Sequence, residues 1–325
     1  MKSFEYATPG SLAEAIELLA DTWGQTEILA GGTDLVTSLK QHITAPKRVV
    51  SLKKVAELRG IRAEKDALHV GAMTTLADFV AHPAIKEHFP ALVTAVKSIA
   101  SPQTINAGTV GGDLCQRPRC WYFRNGFGLF GKEGDAALVR EGDNRYHAIL
   151  GNDGPALFVS PSSLGPGLVA LGATVTIAGA KGKKRHLAAA EFFRTPKADN
   201  ERETALNPAE ILVEIQLPIK GLKNATYEVR HRHGFDWPYV TATVAFQLKG
   251  GTVSDARVVL GHVAPVPWSV TKAAAVLDGA KVDAALAAKC GETAIQGARP
   301  LSGNAYKVQL VKTAVKRAVQ EAAGV

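Results

Sequence analysis

Ile28-Leu29-Ala30-Gly31-Gly32-Thr33-Asp34-Leu35 is the stretch around which the chain is organised. The apolar run Ile28 to Ala30 predicts a short buried strand, and the residues after Asp34 predict a helix. Between them, Gly31-Gly32 lets the backbone turn sharply and lets a ligand approach the peptide N–H groups closely. Thr33 adds a hydroxyl. A strand, a Gly-Gly turn and a helix start make a place where successive N–H groups can hold a phosphate. Taken alone, the stretch also reads as a strand-to-helix turn with no ligand, because short glycine motifs carry little information.

A second stretch changes that balance. Asn106-Ala107-Gly108-Thr109-Val110-Gly111-Gly112-Asp113-Leu114 repeats the theme, again with Gly-Gly followed by Asp and Leu. Two glycine-rich, hydroxyl-bearing turns could clamp the two phosphates of one dinucleotide from opposite sides. Neither stretch has the GxGxxG or GxxxxGK[ST] pattern, so Rossmann and P-loop readings do not apply.

Composition bounds the rest. A chain of 325 residues suggests two or three domains, and 46% apolar with 21% charged residues is ordinary for a globular protein. A net charge of +8 suits nucleic acid, an anionic cofactor or an acidic partner. The basic residues are scattered, and their densest cluster, Lys181-Gly182-Lys183-Lys184-Arg185, falls between two predicted strands as a solvated hairpin tip. Aromatics are sparse and no nucleic-acid-binding motif is visible, so no nucleic-acid partner is expected. Cys115, Cys120 and Cys290 are too few for a disulfide framework. The N-terminus lacks the apolar core of a signal peptide, and no apolar run is long enough for a membrane span. A cytoplasmic location is expected, or a periplasmic one if a signal-bearing partner carries the chain out.

Along the chain, Ser11 and Glu14 form a capping box for an amphipathic helix over 11–22. Strands are expected at 27–30, 48–52, 61–64 and 68–72. Helices are expected at 34–40, from Thr75 onward and over 83–99. From Gln116 to Pro155 seven glycines interrupt every periodicity, and a loop of that length inside a domain is usually functional. Order returns at 156–160, with a helix over 162–171 and a strand over 173–177. After a polar boundary at 190–209, strands at 211–217, 225–232, 241–248 and 253–262 precede helices at 268–277, 281–297 and 305–322. Strands followed by helices suggest an α+β domain with helices on one sheet face. The expected organisation is 1–55, 56–190 with the inserted loop 116–155, and 205–325.

With these segments placed, the sequence resembles the FAD-binding subunits of the molybdenum hydroxylases: xanthine dehydrogenase, aldehyde oxidoreductase, carbon monoxide dehydrogenase and 4-hydroxybenzoyl-CoA reductase. The matching segments run through nearly the whole chain in the family's order. They are Ala30-Gly31-Gly32-Thr33-Asp34-Leu35, Gly71-Ala72-Met73-Thr74-Thr75, Thr109-Val110-Gly111-Gly112-Asp113-Leu114 and Ser160-Pro161-Ser162-Ser163. Glu191-Phe192-Phe193, Gly261-His262-Val263-Ala264-Pro265 with Trp268, and Gly303-Asn304-Ala305-Tyr306-Lys307 follow. Singly each is loose; in series they are specific.

The resemblance implies a two-subdomain FAD-binding domain of the vanillyl-alcohol oxidase/MurB (PCMH) type, followed by a C-terminal antiparallel sheet with helices on one face. It implies that the peptides of Leu29, Ala30, Gly31, Gly32 and Thr33 hold the FAD pyrophosphate with Asp34 close by. Thr104, Ala107, Thr109, Gly111, Gly112 and Asp113 would form the opposite wall. Ile105 would face the flavin ring, unless it is ordinary core packing. Two departures stand out: Asp113 occupies a position that usually carries Asn, and Ser163 stands where an acid usually binds the adenosine ribose. An Asp accepts hydrogen bonds but offers no amide donor, and a serine loses the charge-assisted bond.

The likeness is strongest to the periplasmic aldehyde oxidoreductases and to 4-hydroxybenzoyl-CoA reductase, whose inserted loop carries four cysteines on a [4Fe–4S] cluster. Here 119–124 and 144–150 look like the ends of that loop, while 125–143 hold no cysteine. Cys115 and Cys120 cannot complete such a cluster and His147 is a poor substitute, so the loop is expected without its cluster. By the same resemblance, substrate would be oxidised at a molybdenum cofactor in a large partner subunit. Electrons would cross two [2Fe–2S] centres of a small iron–sulfur subunit to FAD here. The protein then binds and tunes the flavin and needs no catalytic acid or base. Lys197, Arg230 and Arg232 are candidate cations beside the ring or ordinary surface charges. Residues 227–233 are expected to continue a strand, with its basic side chains on one face. His231 and His233 without a third ligand read as structural. Two other readings stay open: a free-standing flavin oxidoreductase of this fold, and a flavin-free scaffold subunit.

Overall fold

The computed structural model describes residues 1–99, 101–232 and 236–325. His233, one of the two histidines considered above, lies outside them.

The chain begins with a three-stranded parallel sheet. β1 (Glu5–Ala7) and β2 (Thr26–Leu29) flank β3 (Arg48–Ser51), with α1 (Leu12–Glu17) and α2 (Leu35–Lys40) in the connections. Ser11 caps α1 as expected, its Oγ accepting from the Glu14 N–H. The reciprocal bond goes to Gly10, whose N–H donates to Glu14 Oε2. The helix stops at Glu17, five residues before the expected end, once its apolar side (Leu12, Ala15, Ile16) is buried.

The second body is an antiparallel sheet of order β4–β5–β10–β8–β9. Its strands are β4 (Ile61–Glu64), β5 (Ala67–Gly71), β8 (Thr174–Ala178), β9 (Lys184–Ala188) and β10 (Ile211–Pro218). β10 corrects the expected organisation: it is the central strand of this sheet, paired with β5 and β8, and not the first strand of the C-terminal sheet. Ile211, Leu212, Ile215 and Leu217 are buried there, as a central strand requires. Of the Lys181–Arg185 cluster, Lys181, Gly182 and Lys183 form the turn between β8 and β9, with Lys181 at φ +58°, while Lys184 and Arg185 open β9 and Arg185 pairs with Glu210.

The sheet is covered by α3 (Leu76–Ala81), α4 (Pro83–His88), α5 (Pro90–Lys97), α6 (Pro102–Ala107), α7 (Val110–Cys115), α10 (Gly165–Ala170) and α11 (Ala189–Phe192). The single helix expected over 83–99 is two. Pro90 has no N–H for a helical bond and disfavours α conformation in Phe89, whose ψ is 55°. Within the long loop, α8 (Trp121–Arg124), the small hairpin β6 (Lys132–Glu133) and β7 (Ala136–Ala137), and α9 (Leu138–Glu141) supply local order. Residues 156–160 form no strand or helix, and Ala156, Leu157, Phe158 and Ser160 among them are buried.

The C-terminal sheet is β11 (Lys223–Val229), β12 (Val240–Lys249), β13 (Thr252–Gly261) and β14 (Trp268–Ser269), all antiparallel. Side chains sort by period two. Ala242, Val244, Phe246, Val258 and Leu260 pack against α12 (Thr271–Leu277), α13 (Ala284–Ala294) and α14 (Tyr306–Ala323). Ala245 and Val259 point the other way, into the core of the second body. Asn224 ties the two together: its Oδ1 accepts from the Ala91 N–H and its amide donates to His88 O. The three C-terminal helices thus cover one face of the sheet, as expected, and the second body covers the other. β11 ends at Val229, so Arg230, His231 and Arg232 do not continue the expected strand.

Candidate functional site

The first glycine stretch is the turn between β2 and α2. Gly32 has φ +79°, which a side chain resists, and a Cβ at Gly31 would lie 2.0 Å from Ala107 O. The second stretch is a tight entry into α7. Thr109 caps it, its Oγ1 accepting from the Gly112 N–H at 3.1 Å. A Cβ at Gly111 would lie 2.8 Å from the Ala72 Cβ, and one at Gly112 would lie 2.9 Å from Thr109 Oγ1. The glycines are therefore required by close approach, and they bring the two stretches together: Gly31 against Ala107 and Gly108, Gly112 near Ala30.

Around this meeting point three cavities run together. The largest, about 580 Å³, is lined by Ala30 to Leu35 on one side and by Thr109, Gly111 and Gly112 on the other. A smaller one of about 180 Å³ shares Thr33, Asp34, Thr109 and Gly112 with it and adds Thr104, Asp113 and Ser163. A third of about 300 Å³ shares Arg119, Asp236 and Trp237 with the second. The backbone N–H groups of Gly31, Gly32, Thr33 and Asp34 meet no acceptor among the described residues. Four free donors in succession on a cavity wall form an anion-binding concavity.

The predicted residues divide by what they touch. Ala30, Gly31, Gly32, Thr33, Thr109, Gly111 and Gly112 are on the wall, and Thr104 and Ser163 line the small cavity. Leu29 and Ala107 belong to the turns themselves and line none of the three. Asp34 lines the largest and the smallest cavity, and its carboxylate is taken up by arginines. It accepts from the Arg117 N–H (2.8 Å) and pairs with Arg124 (2.8 Å) and Arg119 (3.0 Å). Asp113 holds the 162–164 turn together. Its Oδ2 accepts from Ser162 Oγ at 2.5 Å and the Leu164 N–H at 3.0 Å, and its Oδ1 from the Ser163 N–H at 3.2 Å. Burial pushes its carboxyl up, against these hydrogen bonds. Ile105 lines none of these three cavities and packs on the core of the second body. Lys197 is exposed, with its N–H on Glu201, and lines none of the cavities. Arg230 lines the small cavity but is buried in an ion pair with Glu228, and Arg232 pairs with Asp236.

Sequence reasoning missed the arginines that follow the second turn. Arg117, Arg119 and Arg124 gather on the Asp34 side of the cleft, with Glu203 held by Arg117 at 3.0 Å. Their signal was present in Gln116-Arg117-Pro118-Arg119-Cys120-Trp121-Tyr122-Phe123-Arg124, three cations in eight residues directly after a phosphate-type turn. Cys115 lines the largest cavity, its thiol pushed up to about 12 by burial. Cys120 Sγ lies 3.1 Å from His147 Nε2, and Cys290 is buried in the C-terminal core. Among the described residues no three His, Cys, Asp or Glu side chains are grouped to hold a metal. No helix is long and apolar enough to cross a membrane.

Residues 2–220 match the family described as the FAD binding domain in molybdopterin dehydrogenase, and residues 225–322 match the CO dehydrogenase flavoprotein C-terminal domain. The chain is 29% identical over 326 residues to the aldehyde oxidoreductase FAD-binding subunit PaoB of Escherichia coli (strain K12), covering 99% of both. It is 29% identical to the carbon monoxide dehydrogenase medium chain of Hydrogenophaga pseudoflava, covering 98% of this chain and 96% of that one. A chain in the crystal structure of quinoline 2-oxidoreductase from Pseudomonas putida 86 superposes with a TM-score of 0.78 at 27% identity, covering 100% of this chain and 99% of that one. The mixed α/β architecture with a C-terminal antiparallel sheet is the fold of these proteins.

Proposed function

The chain belongs to the family of FAD-binding subunits of the molybdopterin dehydrogenases, and from that premise we propose that it holds FAD along the joined cavities and serves electron transfer within a molybdenum hydroxylase. The four successive free N–H groups of Gly31 to Asp34, facing Thr109 and Gly112 across the largest cavity, carry this reading. They would hold the pyrophosphate, with Thr33 Oγ1 beside them. Arg117, Arg119 and Arg124 add positive field on that side, tempered by Asp34 and Glu203. Thr104 and Ser163 would face the remainder of the cofactor in the smaller cavity. Bound FAD would supply the redox chemistry that links [2Fe–2S] centres of a small subunit, and through them a molybdenum cofactor in a large subunit, to an external acceptor. This chain's own part is to bind, orient and screen the flavin.

Asp113 does not argue for a flavin-free scaffold, because its carboxylate is consumed by the Ser162–Leu164 turn. The long loop we read as kept without a [4Fe–4S] cluster, held by protein contacts alone. We place the chain in the cytoplasm, or in the periplasm when exported with a signal-bearing partner.

The test is a visible spectrum of the chain expressed alone and with the two partner subunits. A yellow protein releasing one FAD per chain, inactive alone and active in the complex, is the expected result. A colourless chain in both preparations refutes FAD binding, and substrate oxidation by the chain alone points to a free-standing oxidoreductase. Iron near zero in the isolated chain is expected; about four irons per chain would restore the cluster.

A further inference from the structure

At the end of β11, Arg230 lines the small cavity and Glu228 stands behind it. Their side chains are 7% and 5% exposed and form an ion pair, Arg230 Nη2 donating to Glu228 Oε2. Arg230 Nη1 donates to the carbonyl of Ser98, the residue that ends α5 and also lines the cavity. The guanidinium is thereby fixed by partners from two elements, and the rest of its planar N–H fork meets no acceptor among the described residues. The acidic partner is left incomplete. Glu228 Oε1 is buried and has no hydrogen-bond partner among the described residues. A buried ion pair with a bare oxygen is a poor way to fill a core, since apolar side chains of the same volume do as well or better. Its effect is electrostatic: it holds a cation at a cavity wall and trims that cation's field.

The other charges on the small cavity are engaged elsewhere. Arg119 pairs with Asp34 at 3.0 Å, on the side of the glycine turns. Asp113 serves the Ser162–Leu164 turn, and Asp236 holds Arg232 at 3.0 Å. From the glycine turns the joined cavities extend two ways. One way the wall carries Glu27, whose carboxyl burial pushes up. A ring that gains negative charge would meet a carboxyl there, whereas uncharged adenine would not be opposed. The other way the wall carries Arg230.

Resting on the flavin reading, we propose that the flavin ring lies at the Arg230 end and that the Glu228–Arg230 pair sets its reduction potential. The oxidised ring is neutral. Reduction brings it two electrons, from the iron–sulfur centres of the small subunit, and one proton, so the reduced ring carries one negative charge. The electrons then leave to the external acceptor and the proton to solvent. Arg230 interacts with the reduced ring more strongly than with the oxidised one, and only such a difference shifts the balance between two states. Glu228 positions Arg230 and offsets part of its charge.

The reduction potential of FAD bound to the full chain, measured by equilibration with a reference dye, tests this alongside the affinity for oxidised FAD. A working pH of 8 favours ionised Glu228 against the burial that pushes its carboxyl up. Glu228→Gln removes the offsetting charge and should favour reduced over oxidised FAD about tenfold, which is about +30 mV for a two-electron couple. Arg230→Gln should favour oxidised FAD by a similar factor, while Arg230→Lys, which keeps the charge, should stay within about threefold of the parent. Arg232→Gln is the control, since its side chain is 73% exposed, and should leave the potential unmoved. Should Arg230→Gln fail to fold with Glu228 left unpaired, the neutral double variant Glu228→Gln with Arg230→Gln carries the test and should lose the gain seen in Glu228→Gln alone. Shifts of the same sign in the two single variants, an equal shift in Arg232→Gln, or equal weakening of oxidised and reduced FAD at an unmoved potential would each overturn the proposal. A parent chain that takes up no FAD refutes the flavin reading and this proposal with it; FAD held at a potential that no variant moves overturns this proposal alone.

Discussion

At Gly31 there is no room for a side chain, since a Cβ would sit 2.0 Å from a backbone carbonyl that belongs to the facing turn. Backbone cannot step aside as a flexible side chain can, so Gly31→Ala should part the two turns. We expect a loss of about 1–3 kcal/mol in urea denaturation together with weaker FAD retention. Gly154→Ala is the matched control, with nothing within 4 Å of its added Cβ, and should stay within about 0.5 kcal/mol of the parent. Asp113 separates stability from cofactor contact. Asp113→Ala leaves the Ser163 and Leu164 N–H groups buried without an acceptor, which should cost on the order of 3 kcal/mol in the same measurement. Substitution of Asp113 that lowered FAD affinity at unchanged stability would show that its carboxylate meets the cofactor instead.

At the level of elements, the loop at 116–155 is held by a few polar hubs. Arg124 donates to Asp34 Oδ1, Ser38 Oγ, Pro118 O and Arg117 O, all within 2.8–3.0 Å, and so pins α8 to α2. Arg124→Ala should free the loop, raising the rate of limited proteolysis within 125–143 by about tenfold or more. Unchanged cleavage would mean that the apolar contacts of Phe123, Leu129 and Phe130 suffice. Such hubs are illegible in the sequence because their partners lie some ninety residues apart. What is legible is local: the two glycine turns, the Ser11 and Thr75 caps, and most strand positions. β10 reads correctly as a strand but belongs to a different sheet from the expected one. Period and propensity say that Ile211–Leu217 is extended, whereas its neighbours β5 and β8 are fixed by a fold that closes over a hundred and forty residues. In the site, the glycines are legible through backbone need. The partners of the Asp34 and Asp113 carboxylates and the places of Ile105 and Lys197 away from the cavities are not, because motif position does not say which way a side chain points.

Across the whole molecule, buried titratable groups predict how stability follows pH. His147 and His262 titrate in the folded chain near 4 and 3, well below their ordinary 6.5. As pH falls below 6.5 the unfolded chain takes up protons that the folded chain refuses, so stability drops toward acid. Lys307 works in the same direction at higher pH: between about 7 and its ordinary 10.5 the unfolded chain holds a proton the folded one has released, and stability rises with pH. The thiols of Cys115 and Cys290 oppose this. Burial raises both from 9.0 to about 12, so above 9 the folded chain keeps protons that the unfolded chain gives up, and stability falls. Two thiols outweigh one amine there, at about 1.4 kcal/mol per pH unit for each proton of difference. Urea denaturation between pH 5 and 11 should therefore show a maximum near 9, the ordinary thiol value. Lys307→Met should flatten the rise from 7 to 9, and His262→Asn should shallow the acid limb. The carboxyls of Asp113, Glu27 and Glu228, pushed up by burial, work against the acid limb, so a maximum below pH 7 in the parent chain would show that they outweigh the histidines and Lys307.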